Sequence, residues 1–394
     1  MQAPTRRRAR ARVLEALTQA GSISRADLAR RTALAPSTVS AIVGELEEAG
    51  LVVEAAAQPP AESGLGRPAV AVALGRRAGV ALGIDFGKRH VRVALADLAH
   101  TVLAERAVAL EVDRPAAESI AVAVGLVDMV LEEAGASRDE VVGVGMGLPG
   151  PVHRPDGELG DSTILPGWVG VRAEDAMREA LGLPVQVEND ANLGALSEWM
   201  WGAGRGADDV AYLKVATGIG AGLIIAGRPY PGTGGTAGEL GHTVIDPAGS
   251  ICRCGNRGCL ETIAGASGVL AALRDTYGDD LTIEQAVARA REGDGGCRRA
   301  IADAGHAIGL AVATLCNILN PARIVVGGEL GAAGDILLDP LRESLRRGAI
   351  RSTAEDVTVV EGALGERAEV LGAVALVLRR GGHLLDGNGL RARA

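Results

Sequence analysis

Glu239-Leu240-Gly241-His242, and after it Cys252-Arg253-Cys254-Gly255-Asn256-Arg257-Gly258-Cys259-Leu260-Glu261, set one histidine and three cysteines close together among glycines. Thiolates and imidazoles in a tetrahedral group of four are the donor set that zinc takes in closed structural sites. Glycines flanking the cysteines let the backbone fold around an ion. The stretch therefore predicts a structural Zn2+ site with His242, Cys252, Cys254 and Cys259 as ligands. All four ligands come from the chain, so no position is left open for catalysis. A cysteine-rich loop without metal is the alternative.

The same residues resemble the signature of the ROK family, which places sugar kinases and sugar-responsive transcriptional repressors on one fold. The resemblance runs from about Leu82 to about Leu378. It implies an α/β body of two ribonuclease-H-like lobes facing a cleft, the actin-like sugar-kinase arrangement with a zinc-binding loop. It also implies a sugar site. Asn189 and Asp190 match the pair that holds a sugar hydroxyl, and in kinases the aspartate takes its proton as general base. Glu239, His242 and Glu261 match the groups that bond the ring near its anomeric end. In that reading His242 binds zinc through one nitrogen and the sugar through the other. A mere turn at Asn189-Asp190 with a surface Glu239 is the plainer alternative.

The phosphate side departs from the kinase pattern. Asp85 and Gly87 match the first hairpin, but Lys88 and Arg89 stand where kinases have Gly and Thr. These side chains are expected to fill the place of the transferred phosphate or to attract it. Thr217, Gly218, Gly220 and Gly222 match the second hairpin, with Ala216 and Ala221 replacing glycines. Gly327 and Gly328 match the third element, and Glu329 follows where nucleotide-binding members have Gly. Three elements altered together count against ATP and Mg2+ as cofactors.

Composition frames these motifs. The chain has 394 residues, enough for two or three domains. Hydrophobic residues make up 47% and aromatics 2%, so Ala, Val and Leu must fill the core. Lys88 and Lys214 are the two lysines. The net charge of −9 excludes a protein that binds nucleic acid with its whole surface. Positive charge is concentrated at one end: Arg6, Arg7, Arg8, Arg10, Arg12, Arg25, Arg30 and Arg31 face only Glu15 and Asp27. Cys297 and Cys316 sit in helical patterns and read as ordinary thiols. No disulfide framework, signal peptide or membrane-spanning run is visible, which predicts a cytoplasmic protein.

The basic end has its own pattern. A helix from residue 6 to about residue 20 turns Val13, Leu14 and Leu17 inward. Ser24 caps a short helix through Arg31. Pro36 starts a third helix reaching about Ala49, with Val39, Ile42, Val43 and Leu46 inward. Leu51-Val52-Val53 and Ala69–Leu74 make a hairpin. This is the winged helix-turn-helix plan, whose third helix enters the major groove of double-stranded DNA. Ser37, Thr38 and Ser40 are the candidate DNA contacts there. Arg67, in Gly66-Arg67-Pro68 of the wing tip, fits a narrow minor groove. A helical protein-binding module, and a solvated loop arginine, are the respective alternatives.

The expected organisation is a winged helix-turn-helix domain at 1–76, a first lobe at 80–200, and a second lobe at 201–394 carrying the zinc site and a C-terminal helix. The function it points to is a DNA-binding regulator of carbohydrate metabolism, a repressor, that senses a monosaccharide in a kinase-like cleft. Its partners are a DNA operator, the sugar effector, and further copies of itself as a dimer or tetramer, with no membrane. The competing reading is an ATP-dependent sugar kinase with Asp190 as catalytic base.

Overall fold

A computed structural model of the protein describes residues 3–55, 70–110, 114–152 and 165–384. The chain divides into two compact units. Met1–Gly147, Ala173–Val187 and Ala373–Ala394 form the first, and Leu148–Arg172 with Glu188–Gly372 form the second.

The first unit begins with α1 (Ala3–Ala20), β1 (Ser22–Ser24), α2 (Arg25–Thr32), α3 (Pro36–Glu48), β2 (Val52–Ala55) and β3 (Ala71–Leu74). Val13, Leu14 and Leu17 of α1 are buried, as their spacing requires. The Ser24 side chain accepts the Asp27 N–H at 3.1 Å and caps α2. Pro36 opens α3, where its missing N–H costs no helical bond. Val39, Ile42, Val43 and Leu46 of α3 are buried. β2 and β3 form the expected antiparallel hairpin, and β1 adds to the other edge of β3. The wing tip, with Arg67, lies outside the described residues.

The same unit continues with β4 (Val80–Phe86), β5 (His90–Asp97), β6 (Val102–Ala109), α4 (Ala116–Ala134), β7 (Val141–Leu148), α5 (Ala173–Leu181) and β8 (Val185–Asn189). These strands form one sheet in the order β6-β5-β4-β7-β8. β4 runs antiparallel to β5 and parallel to β7, because the β4–β5 link is a tight turn while α4 carries the chain back toward β7.

The second unit contains α6 (Asp190–Trp201), β9 (Val210–Val215), β10 (Ile219–Ile225), β11 (Arg228–Pro229), α7 (Leu260–Ala264), α8 (Ala266–Tyr277), α9 (Ile283–Arg291), α10 (Gly295–Leu319), β12 (Arg323–Gly327), α11 (Asp335–Gly348), α12 (Arg351–Asp356) and β13 (Thr358–Glu361). Its sheet order is β11-β10-β9-β12-β13. Numbered within each five-stranded sheet, both read third, second, first, fourth, fifth. The first three strands are antiparallel in both, and the fourth lies parallel to the first. This repeated pattern is the ribonuclease-H-like topology that the motifs imply.

With so few aromatic side chains, close backbone approach replaces bulk. A Cβ built on Gly305 or Gly309 of α10 would come within 2.4 Å of the Leu337 and Leu341 carbonyls of α11. Cys297 and Cys316 are buried in α10, as ordinary thiols. Among the described residues α10 alone is long and apolar enough to cross a membrane, but more than half of its apolar window is buried in the core. The final helix, α13 (Ala368–Leu384), returns to the first unit, where the Ala373 carbonyl lies against Gly145 of β7.

Candidate sugar and metal site

The metal-type cluster forms in the second unit. One donor atom each from His242, Cys252, Cys254 and Cys259 lies within 4.8 Å of all the others. The Cys252 Sγ to His242 Nδ1 distance is 3.6 Å, and so is Cys254 Sγ to Cys259 Sγ. Those are about the edge lengths of a tetrahedron with zinc–sulfur bonds near 2.3 Å. The loop is closed by the Gly258 carbonyl, which accepts the N–H groups of Ile245 and Asp246 at 2.8 and 3.2 Å. Gly258 has φ +68°, and a Cβ there would collide with the Asp246 carbonyl. Burial pushes the Cys252 thiol up to about 12, and burial also raises Cys259. The backbone N–H of Asn256 lowers Cys254. A bound cation would supply the charge that buried thiolates need, so the donor set and its spacing fit a metal ion.

The groups assigned to the sugar gather beside this cluster. His242 turns Nδ1 toward Cys252 and Nε2 toward Glu239, whose Oε2 is 3.7 Å away. The two nitrogens therefore face different partners. Burial raises the Glu239 carboxyl, with His242 and Arg253 opposing and Asp190 and Glu261 adding to the effect. Glu261, in the first turn of α7, is 8% exposed at its side chain. Its Oε1 accepts from Arg253 Nε at 3.0 Å and from the Cys252 thiol at 3.1 Å. Its Oε2 accepts from Arg253 Nη2 at 2.8 Å. A fork grips a carboxylate in a way that a single ammonium cannot. Arg253 lies between two of the metal-type ligands, and the resemblance assigns it no role.

Asn189 is the N-cap of α6. Its side-chain oxygen accepts the N–H groups of Ala191 and Asn192 at 2.9 and 3.2 Å, and its Nδ2 donates to the Gly150 carbonyl at 3.0 Å. Asp190 is nearly buried. Its Oδ1 accepts the Ala191 N–H at 2.9 Å and its Oδ2 accepts from Lys214 Nζ at 2.9 Å. Lys214, on β9, also pairs with Glu369 at 3.2 Å. Sequence reasoning read Lys214 only as a rare residue type. Residues a strand and a helix apart meet only once the register between them exists.

The phosphate-type residues divide between the units. Thr217 and Gly218 form the β9–β10 turn, where the Ala216 N–H donates to the Gly218 carbonyl at 2.9 Å. Gly220 follows on β10, and the Ala216 and Ala221 methyl groups are buried. A Cβ on Gly218 would meet Arg253 Nη2 at 3.1 Å and Glu261 Oε2 at 3.2 Å, so this turn borders the sugar-type carboxylate. Gly327 ends β12 against the Tyr212 hydroxyl, and Gly328 follows at φ +82°. In the first unit Asp85 is fully buried at the end of β4, and its Oδ2 lies 2.8 Å from His90 Nε2. The His90 ring sits directly over Gly87. Lys88 and Arg89 are exposed. The space at this hairpin tip is thus covered by His90, not by the two side chains that the sequence singled out.

Two ribonuclease-H-like units, a carboxylate and histidine cluster beside a metal-type site, and an N-terminal winged helix define a sugar-kinase-like protein carrying a DNA-binding module. Comparison with known proteins agrees. The ROK family model matches residues 81–380, and a winged helix-turn-helix DNA-binding model matches residues 6–53. The chain belongs to the ROK family. It is 29% identical to the xylose repressor of Caldicellulosiruptor bescii, over 93% of this chain and 94% of that protein. A solved ROK family transcriptional regulator, described as a homologue of the E. coli Mlc protein, superposes with a TM-score of 0.77 at 28% identity, covering 98% of both chains. A ROK family glucokinase from Streptomyces griseus, solved with glucose and AMPPNP, gives 0.67 at 29% identity. It matches 99% of its own length but only 76% of this chain. The regulator-type relatives extend over the winged helix as well.

Proposed function

We propose that this protein is a sugar-responsive transcriptional repressor of carbohydrate metabolism. The observation that carries the reading is the joining, in a single chain, of a winged helix-turn-helix to an intact sugar-type cluster. Asp190, Glu239, His242 and Glu261 are the ring contacts, with Asn189 shaping the helix end beside them. Zinc held by His242, Cys252, Cys254 and Cys259 is structural and fixes the orientation of His242 and of the loop bearing Arg253. In the winged helix, Ser37 in the first turn of α3 and Ser40 at the start of the second are exposed and Thr38 is half-buried, which suits contacts in a major groove. Arg67 is the proposed minor-groove contact. The protein acts on DNA and so works in the cytoplasm.

A dimer is the working form, matching an operator with two-fold symmetry. Leu310 and Ile318 are 49% and 73% exposed along one face of α10, and the neighbouring Ile350 is 61% exposed. They offer an apolar contact for a second copy.

Sugar phosphorylation is the second reading, and the retained Asp190 is its basis. Against it stand His90 over the Asp85–Gly87 turn and Lys214 on the Asp190 carboxylate. A melting panel of D-xylose, D-glucose, N-acetyl-D-glucosamine and their phosphates on the zinc-loaded protein tests the proposal. A cognate sugar at 100 times its dissociation constant adds about 2.7 kcal/mol. The same sugar must alter DNA binding without supporting ATP turnover. No shift with any sugar defeats the sensor reading, and turnover lost in Asp190→Ala favours the kinase.

A further inference from the structure

We propose that His100 is the positioning residue that fastens the winged helix to the kinase-like part of the first unit, and so the joint through which a change there reaches DNA-binding α1 to α3. Neither the motifs nor the family match assigns this residue a role. The inference rests on the sensor reading for what is transmitted, while the joint itself stands on geometry within one unit.

The turn after β5 is tightly built. Asp97 Oδ1 accepts the N–H groups of Ala99 and Thr101 at 3.0 and 2.8 Å. The Asp97 N–H donates to the Thr101 carbonyl at 2.9 Å, and the His100 N–H donates to the Asp97 carbonyl at 3.1 Å. The turn holds His100 at φ +71°, a region that few side chains enter. Its imidazole reaches the last turn of α1, where Nε2 lies 2.6 Å from the Thr18 carbonyl oxygen. A carbonyl only accepts, so this nitrogen carries the proton. Carbonyls in the last turn of a helix lack intrahelical partners and need one from elsewhere. Here the partner comes from the sheet of the kinase-like part.

The other side of the contact is shaped to admit the ring. Gly21 follows α1 with φ +69°. A Cβ on it would stand 2.8 Å from His100 Nδ1 and 3.1 Å from the Ala99 carbonyl oxygen. A second tie flanks the first. Arg76, just after β3, donates to the Ala134 carbonyl at the end of α4, and Arg77 lies against Gly50 at the end of α3.

β5 connects this joint to the hairpin described above. It starts at His90, beside Asp85 and Gly87, and ends at Asp97, in the turn that carries His100. It is paired on both edges, with β4 and β6. Eight residues of strand span roughly 27 Å; the pairing with β4 is continuous from Val91 to Asp97, while the pairing with β6 shifts register between Leu95 and Ala96. In the proposal a displacement of the hairpin reaches the His100 turn along the unbroken β4–β5 ladder.

The test is hydrogen exchange on full-length, zinc-loaded protein, comparing wild type with His100→Gly and His100→Gln. Glycine suits a positive φ, so His100→Gly keeps the turn and removes only the imidazole. Glutamine keeps a donor of similar reach. Losing one such bond should speed exchange at the end of α1 and in β1 about fivefold to tenfold in His100→Gly, with β4 and β5 unchanged and His100→Gln between the two. A sugar that protects the α7 region in wild type and in His100→Gly should alter α1 exchange only in wild type. Unchanged α1 exchange in His100→Gly overturns the joint, and so does a sugar response of α1 that persists in that variant. If no sugar protects the α7 region of wild type, the sensor reading fails, and the exchange rates of His100→Gly without sugar decide the joint alone.

Discussion

The Asp85 hairpin of the first unit and the Glu261 corner of the second both carry a buried carboxylate beside a glycine, yet they are served differently. Asp85 is partnered by His90 of its own hairpin, whose ring covers Gly87. Glu261 is gripped by Arg253, which is itself pinned between Cys252 and Cys254, and the adjoining Gly218 leaves the pair uncrowded. The first arrangement closes a phosphate-type turn on itself. The second holds a sugar-type carboxylate in place from a metal-type loop. Within one chain, a phosphate-type hairpin is covered by its own histidine, and a sugar-type carboxylate is held in place from a neighbouring loop. In the sensor reading proposed above, that difference separates recognition from transfer.

The comparison breaks most violently at the metal-type loop. Cys259→Ser, or exhaustive chelation, should cost about 4 kcal/mol or more and abolish sugar binding, as read by metal content, melting and ligand titration. Normal metal content and melting in Cys259→Ser would remove the loop from the account. Arg253→Ala should leave Glu261 buried without its cation and lose about 2–3 kcal/mol together with sugar affinity, at unchanged metal content. Arg253→Lys should recover only part, since an ammonium makes no fork.

At the other corner, His90→Ala should cost about 1–2 kcal/mol by stripping buried Asp85 of its hydrogen bond, and it should leave sugar affinity intact. A large loss of sugar affinity there would mean that the two corners are not distinct in function. The smallest effect is pH-dependent. Burial lowers the His100 imidazole from its ordinary 6.5. The unfolded chain therefore takes up the proton first as pH falls, so the stability that neutral His100 contributes is full above 6.5 and lost below it. The melting difference between wild type and His100→Gly should shrink between pH 7.5 and 5.5. A difference that grows would reverse the sign of the argument.

Much of this was legible in the sequence because it is written in short spacings. The cysteines of the loop, the Ser24 cap and Pro36 at the start of α3 each act within a few residues, and local geometry does the rest. Asp85 and Gly87 marked the first phosphate-type hairpin by resemblance, and Thr217, Gly218, Gly220 and Gly222 marked the second. What escaped depends on register. Lys214 meets Asp190 only because β9 lies under the start of α6, and Arg253 meets Glu261 only once the loop has closed. β1 has three residues and is a strand only because β3 lies beside it. β6 carries a charged Glu105-Arg106 step on an edge strand, which hides its alternation. Lys88 and Arg89 are bulky replacements at the hairpin tip, but both are exposed there. The flatter ring of His90, with a buried carboxylate in reach, stays.

The central claim is that sugar occupancy controls DNA binding. Selection of duplexes from a random pool by the full-length, zinc-loaded protein, with and without the sugar that raises its melting temperature, tests it directly. The account predicts an enriched site with two-fold symmetry whose affinity changes about tenfold or more with that sugar. Failure to enrich any duplex, or an enriched site indifferent to every sugar that binds, would contradict it.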